Sequence, residues 1–208
     1  FVGKSVILGS GYGMGAKKFQ AQLRGFEVEL KFEEAKRIID TYRDNYSQIP
    51  ALWNDGQICL NAMFENQTAT LGVQPQVVYV DESVISGDAG FKLPNKMMLI
   101  YPELGRTKDF QYSYLSKNNV RTKIYGGKVI ENVCQAIARC IISWQMVKIS
   151  KKYKVALTVH DSIVCVVEET EKEKARSFIE KIMRTSPEWA TGLPLNCDIG
   201  IGQSYGEC

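Results

Sequence analysis

The 208-residue chain is 45% apolar and 24% charged, with a formal net charge of +3, which suits a globular protein with one core, or one core and a smaller lobe. So weak a basic excess admits a nucleic-acid partner without arguing for one. The lack of a long apolar run excludes a membrane-spanning helix and a membrane partner, and the chain reads as cytoplasmic, in a bacterium or in the host of a phage.

In chain order, glycines at 3, 9, 11, 13 and 15 punctuate an apolar opening that lacks an initiator methionine and reads as the middle of a longer protein. A helix is predicted over 16–23. A second, over 33–46, places Ala35, Ile38, Ile39 and Tyr42 at helical spacing. Pro50 is expected to break it, with another helix over 51–66. Between 68 and 102 the sequence turns to β-branched runs, Val77–Val80 and Met97–Tyr101, among Gly, Asn and Pro. A long helix is predicted over 128–151, with Ile130, Val133, Ile137, Ile141, Trp144 and Val147 forming its apolar stripe. Two short strands follow, 155–159 and 163–167. Thr170 is placed to cap a last helix to 184, with Phe178, Ile179, Ile182 and Met183 inward, and 193–201 alternates like a strand. The fold class is α+β, with helices on a small antiparallel sheet.

Six cysteines form no C-x-x-C pair and have one histidine to join them, which argues against zinc and disulfide frameworks. Cys134, Cys140 and Cys165 lie in apolar stretches, where a free thiol behaves as a small hydrophobe.

Two segments carry chemistry. His160 and Asp161 fall between the two short apolar strands. Aspartate is common in turns, so a hydrogen-bonding turn residue is one reading. A carboxylate fixed by a rigid hairpin for a divalent cation is the other. In the opening segment, helical geometry would set Lys4, Leu8 and Tyr12 on one face, over roughly 12 Å. A cation, an apolar side chain and a ring in that order match the phosphates, sugar and base of a nucleotide, although a glycine-rich helix end with a solvated lysine is the plainer account. The glycine spacing gives neither G-x-G-x-x-G nor a P-loop.

The Lys-x7-Tyr-Gly segment, followed far downstream by a strand, His-Asp and a strand, resembles motifs B and C of family A DNA polymerases. The stretch Lys92-Leu-Pro-Asn-Lys is similar to the Leu-Pro-x-Gly-Arg of phage-type members. Residues 131–139 resemble their palm helix and 189–207 their tail. The resemblance covers nearly the whole chain except about 67–90.

It implies fingers over 1–66, a β-rich excursion over 67–102 and the C-terminal part of a palm over 103–208. It further implies a DNA-directed DNA polymerase that adds dNMP units to a primer 3′-OH with two magnesium ions. Lys4 would meet the triphosphate as part of the catalytic apparatus, and Leu8 the sugar. Tyr12 would lie by the nascent pair and templating base. Gln135, with Glu131 or Asn132, would read the minor groove, His160 would approach the primer terminus, and Asp161 would bind the metals. The implied partners are primer–template DNA, dNTPs and an upstream part of the same polymerase, which carries motif A and a second metal-binding aspartate. Without that part the 208 residues are expected to be inactive.

Leu8 stands where the family usually has Phe or Tyr, and Ser162 where it usually has Glu. A single-subunit RNA polymerase shares the motif B pattern and often reads His-Asp-Ser, but the Gln135 helix and the tail fit the DNA enzymes better. A non-catalytic, DNA-holding relic is opposed by the presence of Lys4, Tyr12 and Asp161 together.

Overall fold

A computed structural model describes residues 2–72, 78–80 and 89–208. Val77 of the expected β-branched run lies outside the described residues, as do the rest of 73–77 and 81–88 of the expected excursion. The fold is α+β, with every described strand pair antiparallel. The chain forms two compact units, which divide between residues 134 and 135.

The first unit opens with four helices, α1 (Val2–Ser10), α2 (Ala16–Arg24), α3 (Phe32–Asn45) and α4 (Gln48–Phe64). Phe19 and Leu23 of α2 meet Ala35 and Ile39 of α3 in a closed core, with Val2 and Val6 of α1 against it. The α3 spacing sorts its residues as expected, with Ala35, Ile39 and Tyr42 buried. Glu33 and Glu34 occupy its first turn, where carboxylates favour the exposed N–H groups. Pro50 does not break a helix. The chain breaks at Tyr46 and Ser47, and Pro50 sits in the first turn of α4, where its missing N–H has no intrahelical partner to lose.

Two sheets follow. β1 (Ala69–Leu71), β2 (Val78–Val80), β3 (Ala89–Lys92) and β4 (Met98–Tyr101) pair in sequence order. β5 (Gly105–Arg106), β6 (Tyr112–Leu115) and β7 (Arg121–Ile124) form a separate meander that the sequence reading did not anticipate. Three of their hairpins are closed by one and the same turn. Leu93–Met97, Thr107–Gln111 and Ser116–Val120 each join their first and last residues by an N–H to carbonyl bond of 2.8 to 3.0 Å. In each, the fourth residue takes positive φ: Lys96 at 70°, Phe110 at 58° and Asn119 at 56°. Glycine or asparagine ordinarily fills such a place.

α5 (Gly126–Ser150) begins in the first unit and ends in the second. Its start lies against α4 so closely that a Cβ on Gly126 would overlap the Trp53 carbonyl oxygen, and one on Gly56 would come within 2.7 Å of the Gly126 oxygen. The Gly126 N–H donates to Gln57 Oε1 at 3.0 Å in the same contact. Gly126→Ala should therefore push the helices apart and destabilise the protein by about 2–3 kcal/mol, as overpacking does. Urea unfolding checks this, and a loss below about 0.5 kcal/mol would show that the contact yields easily.

In the second unit, β8 (Lys154–Val159) and β9 (Ser162–Val166) pack one face on Ile149, Tyr153 and Ala175, with Phe178 and Ile182 of α6 (Lys172–Met183) completing the cluster. The α5 stripe departs from expectation here. Val147 is exposed, while Gln145 and Ile149 are buried. The buried line steps by four residues through Ile141, Gln145 and Ile149, and Gln145 Nε2 donates to the Met183 carbonyl at 2.8 Å while its Oε1 is buried without a hydrogen-bond partner among the described residues. Thr170 does not cap α6: it lies in a single 3-10 turn, and Glu171 is the N-cap. Residues 193–201 alternate as expected, with Leu195, Cys197 and Ile199 half-buried, but form no ladder with any described strand.

Candidate active site

Lys4 and Leu8 lie on α1, one turn apart, and both are exposed, Leu8 at 62%. The opposite face of α1 supplies Val2, Val6 and the buried Ser5 to the interior, so these two side chains are held outward by the burial of their neighbours. Tyr12 lies just past the last helical residue, and the way the helix closes explains the glycine that follows it. The Met14 N–H donates to the Gly9 carbonyl at 3.3 Å and the Gly13 N–H to the Ser10 carbonyl at 3.2 Å, with Gly13 at φ 84°. This is a Schellman closure, whose left-handed residue favours glycine. Tyr12 is its C-cap, so the helical succession of Lys4, Leu8 and Tyr12 extends to the ring.

Tyr12 is half-buried, and burial, then Cys134 and Glu131, raise its phenol above the usual tyrosine range. The ring therefore stays neutral at physiological pH. The Tyr125 hydroxyl donates to the Tyr12 carbonyl at 3.3 Å. Beside this turn the first unit holds a cleft of about 440 Å³, lined by Gly13, Arg43, Pro50, Trp53, Gln57 and Tyr125 among others. Trp53 Nε1 donates to the Gly11 carbonyl at 2.9 Å, and the Arg43 guanidinium lies 5.6 Å from the Trp53 ring centroid. Sequence reasoning missed Arg43, Trp53 and Tyr125. They sit on α3, on α4 and just ahead of α5, so only the folded chain gathers them, and aromatic side chains in helical patterns read as core.

The structure brings Glu131 near Tyr12 but ties it to Lys128 at 2.8 Å. Asn132 donates to the Tyr101 hydroxyl at 3.3 Å, and burial pushes that phenol up to about 12. Gln135 is exposed on α5, one turn beyond Glu131.

In the second unit, Val159 pairs with Ser162, leaving His160 and Asp161 as a two-residue hairpin loop. Only His160 takes positive φ, at 51°, a conformation glycine usually fills in so short a loop. Both side chains are exposed. The loop is held because Val155, Ile163 and Cys165 anchor the strands on the core beneath it. Among the described residues, no three His, Cys, Asp or Glu side chains gather as a metal-binding group. Asp161 is the right kind of ligand for a hard cation, but magnesium generally takes one or two carboxylates together with substrate phosphates.

An exposed lysine and leucine on α1 and an exposed carboxylate turn between β8 and β9 do not by themselves define a reaction, and comparison with known proteins supplies the class. The family profile described as DNA polymerase family A matches residues 96–207, and the chain belongs to that family. It is also 28% identical over 214 aligned positions to the DNA polymerase of Bacillus phage SP02, an alignment covering 98% of this chain and 32% of that protein. The chain thus spans about a third of the length of this curated relative. No solved structure matches it. Among the described residues, no helix is long and apolar enough to cross a membrane.

Proposed function

We propose that the protein carrying this chain is a DNA-directed DNA polymerase that transfers dNMP to a primer 3′-OH on a DNA template. The observation that carries the reading is the Schellman-closed α1, which presents Lys4 and Leu8 outward and ends on Tyr12, in a chain of family A. In this reading residues 1–66 are fingers and 103–208 the C-terminal part of the palm. Lys4 binds the triphosphate, Leu8 bears on its sugar, and Tyr12 flanks the nascent pair, with the Trp53 cleft beside it. Gln135, with Glu131 or Asn132, faces the minor groove, where acceptors common to all base pairs permit contact without sequence preference. His160 lies at the primer terminus.

Asp161 would hold magnesium, which supplies charge neutralisation at the transferring phosphoryl group when bound. A second carboxylate would come from the motif A part of the polymerase. Family membership favours DNA over RNA synthesis. The test is primer extension by the full-length protein with magnesium, offered dNTPs or rNTPs. Extension with dNTPs that chelator abolishes is expected, and a preference for rNTPs would overturn the assignment.

Leu8 gives a sharper test of the sugar contact. An aliphatic side chain cannot replace a missing 3′-OH interaction, whereas a phenol can. Leu8→Tyr should raise dideoxynucleotide incorporation relative to deoxynucleotide by about fivefold or more, on the order of 1 kcal/mol of differential barrier. Competition of ddNTP and dNTP in single-nucleotide extension measures it. A ratio unchanged within about twofold would remove Leu8 from the sugar.

A further inference from the structure

The β5–β6 hairpin ends in an oddity. Phe110 occupies the left-handed position of its turn at φ 58° and is 74% exposed. Asn119 fills the same place in the next hairpin, as that conformation prefers. A single exposed hydrophobe is unremarkable by itself. One held in a conformation unfavourable to its own side chain is less easily dismissed, because replacing it would relieve the backbone.

The turn is firmly built. The Phe110 N–H donates to the Thr107 carbonyl at 3.0 Å, and the Gln111 N–H to Thr107 Oγ1 at 3.2 Å. Behind the ring, the Arg106 guanidinium lies 5.1 Å from the Phe110 centroid and 4.6 Å from that of Phe64, and donates to the Tyr112 hydroxyl at 3.1 Å. The result is an aromatic ring presented to solvent and backed by a fixed cation.

The segment that carries it is basic in sequence. Residues 89–125 carry seven Lys and Arg against Glu103 and Asp109, whereas the whole chain is nearly balanced at 26 to 23. Lys108 is exposed on the tip beside Asp109, and Arg106, whose guanidinium backs the ring, is exposed as well.

We propose that the β5–β6 hairpin tip binds single-stranded DNA, with Phe110 stacking on one base and Lys108 and Arg106 attracting the neighbouring phosphates. Charge complementarity selects a polyanion. The exposed ring selects a single strand, whose bases offer a free face that a duplex keeps stacked. The template strand ahead of the primer is the natural source, a point that rests on the polymerase reading. The tip's affinity for a single strand does not rest on it.

The test uses the full-length protein and fluorescence anisotropy with a labelled (dT)20, a blunt duplex, and a primer–template with a long overhang. Phe110→Gly is the decisive variant, because glycine suits the backbone and removes only the ring. Its Tm is expected to equal or exceed that of the parent while its Kd for (dT)20 rises about tenfold, the scale of one lost stacking contact. Lys108→Glu should weaken binding and flatten its salt dependence. Duplex affinity should hold within about twofold, so the tip would discriminate strand state.

Unchanged (dT)20 affinity in Phe110→Gly overturns the proposal, as does an equal loss with the blunt duplex. Sedimentation showing a dimer that Phe110→Gly dissociates, with DNA binding intact, would give the tip to a second copy of the chain and also overturn it. Primer extension in parallel separates the readings: absent extension with ring-dependent (dT)20 binding fails the polymerase assignment and supports this one.

Discussion

Asp161→Asn in the full-length protein is expected to lower single-turnover primer extension by about three orders of magnitude or more, corresponding to roughly 4 kcal/mol of lost transition-state stabilisation. Primer–template affinity should stay within about twofold, because contacts to DNA phosphates do not pass through this carboxylate. Folding should also be untouched. Asp161 is exposed at the tip of β8–β9, and the core that holds the hairpin is made by Ile149, Tyr153 and Ala175 below it. The amide is nearly the shape of the carboxylate and removes only its negative charge. Rapid-quench extension beside anisotropy with the same primer–template measures both quantities. Extension within about tenfold of the parent enzyme would mean that the turn does not serve the chemistry.

Lys4→Ala is the second large effect. Lys4 extends from the exposed side of α1, a turn before Leu8, with the burial of Val2 and Val6 fixing the helix behind it. A preorganised cation at a developing phosphoryl charge is worth roughly 2–4 kcal/mol, or about 30-fold to 1000-fold in kcat/KM for dNTP. Thermal stability should move little, since an exposed lysine on a helix surface costs little to truncate. A rise in KM alone would give Lys4 a role in ground-state binding. A change under about tenfold would take it off the triphosphate.

The sequence carried the helices well wherever burial followed periodicity. α3 is legible from Ala35, Ile39 and Tyr42, and α6 from Phe178, Ile179, Ile182 and Met183. It misled where a polar residue was buried. Gln145 belongs to the inner line of α5, but its amide hides it, and the apolar spacing points to Val147 instead. The β5–β7 meander was invisible because its short strands carry Lys and Arg outward and its first turn uses Phe110 where glycine would have signalled a bend. Lys4, Leu8, Tyr12, His160 and Asp161 were legible as a spaced pattern. The closure of α1 is local, through bonds from Gly13 and Met14 to Ser10 and Gly9, but the cleft formed by Arg43, Trp53 and Tyr125 depends on contacts between distant segments and could not be read along the chain.

The near contact of Gly56 and Gly126 bears on the order in which this protein assembles. The hairpins β3–β4, β5–β6, β6–β7 and β8–β9 join neighbours in sequence, so each closes a loop of a few residues and forms quickly. Docking α4 on the start of α5 is different, for it must close the whole intervening stretch of chain before any packing is gained. That step should limit the folding rate of the first unit. In kinetic terms, Gly126→Ala would then slow refolding far more than it speeds unfolding, and a chevron in which only the unfolding limb moves would place the docking after the barrier.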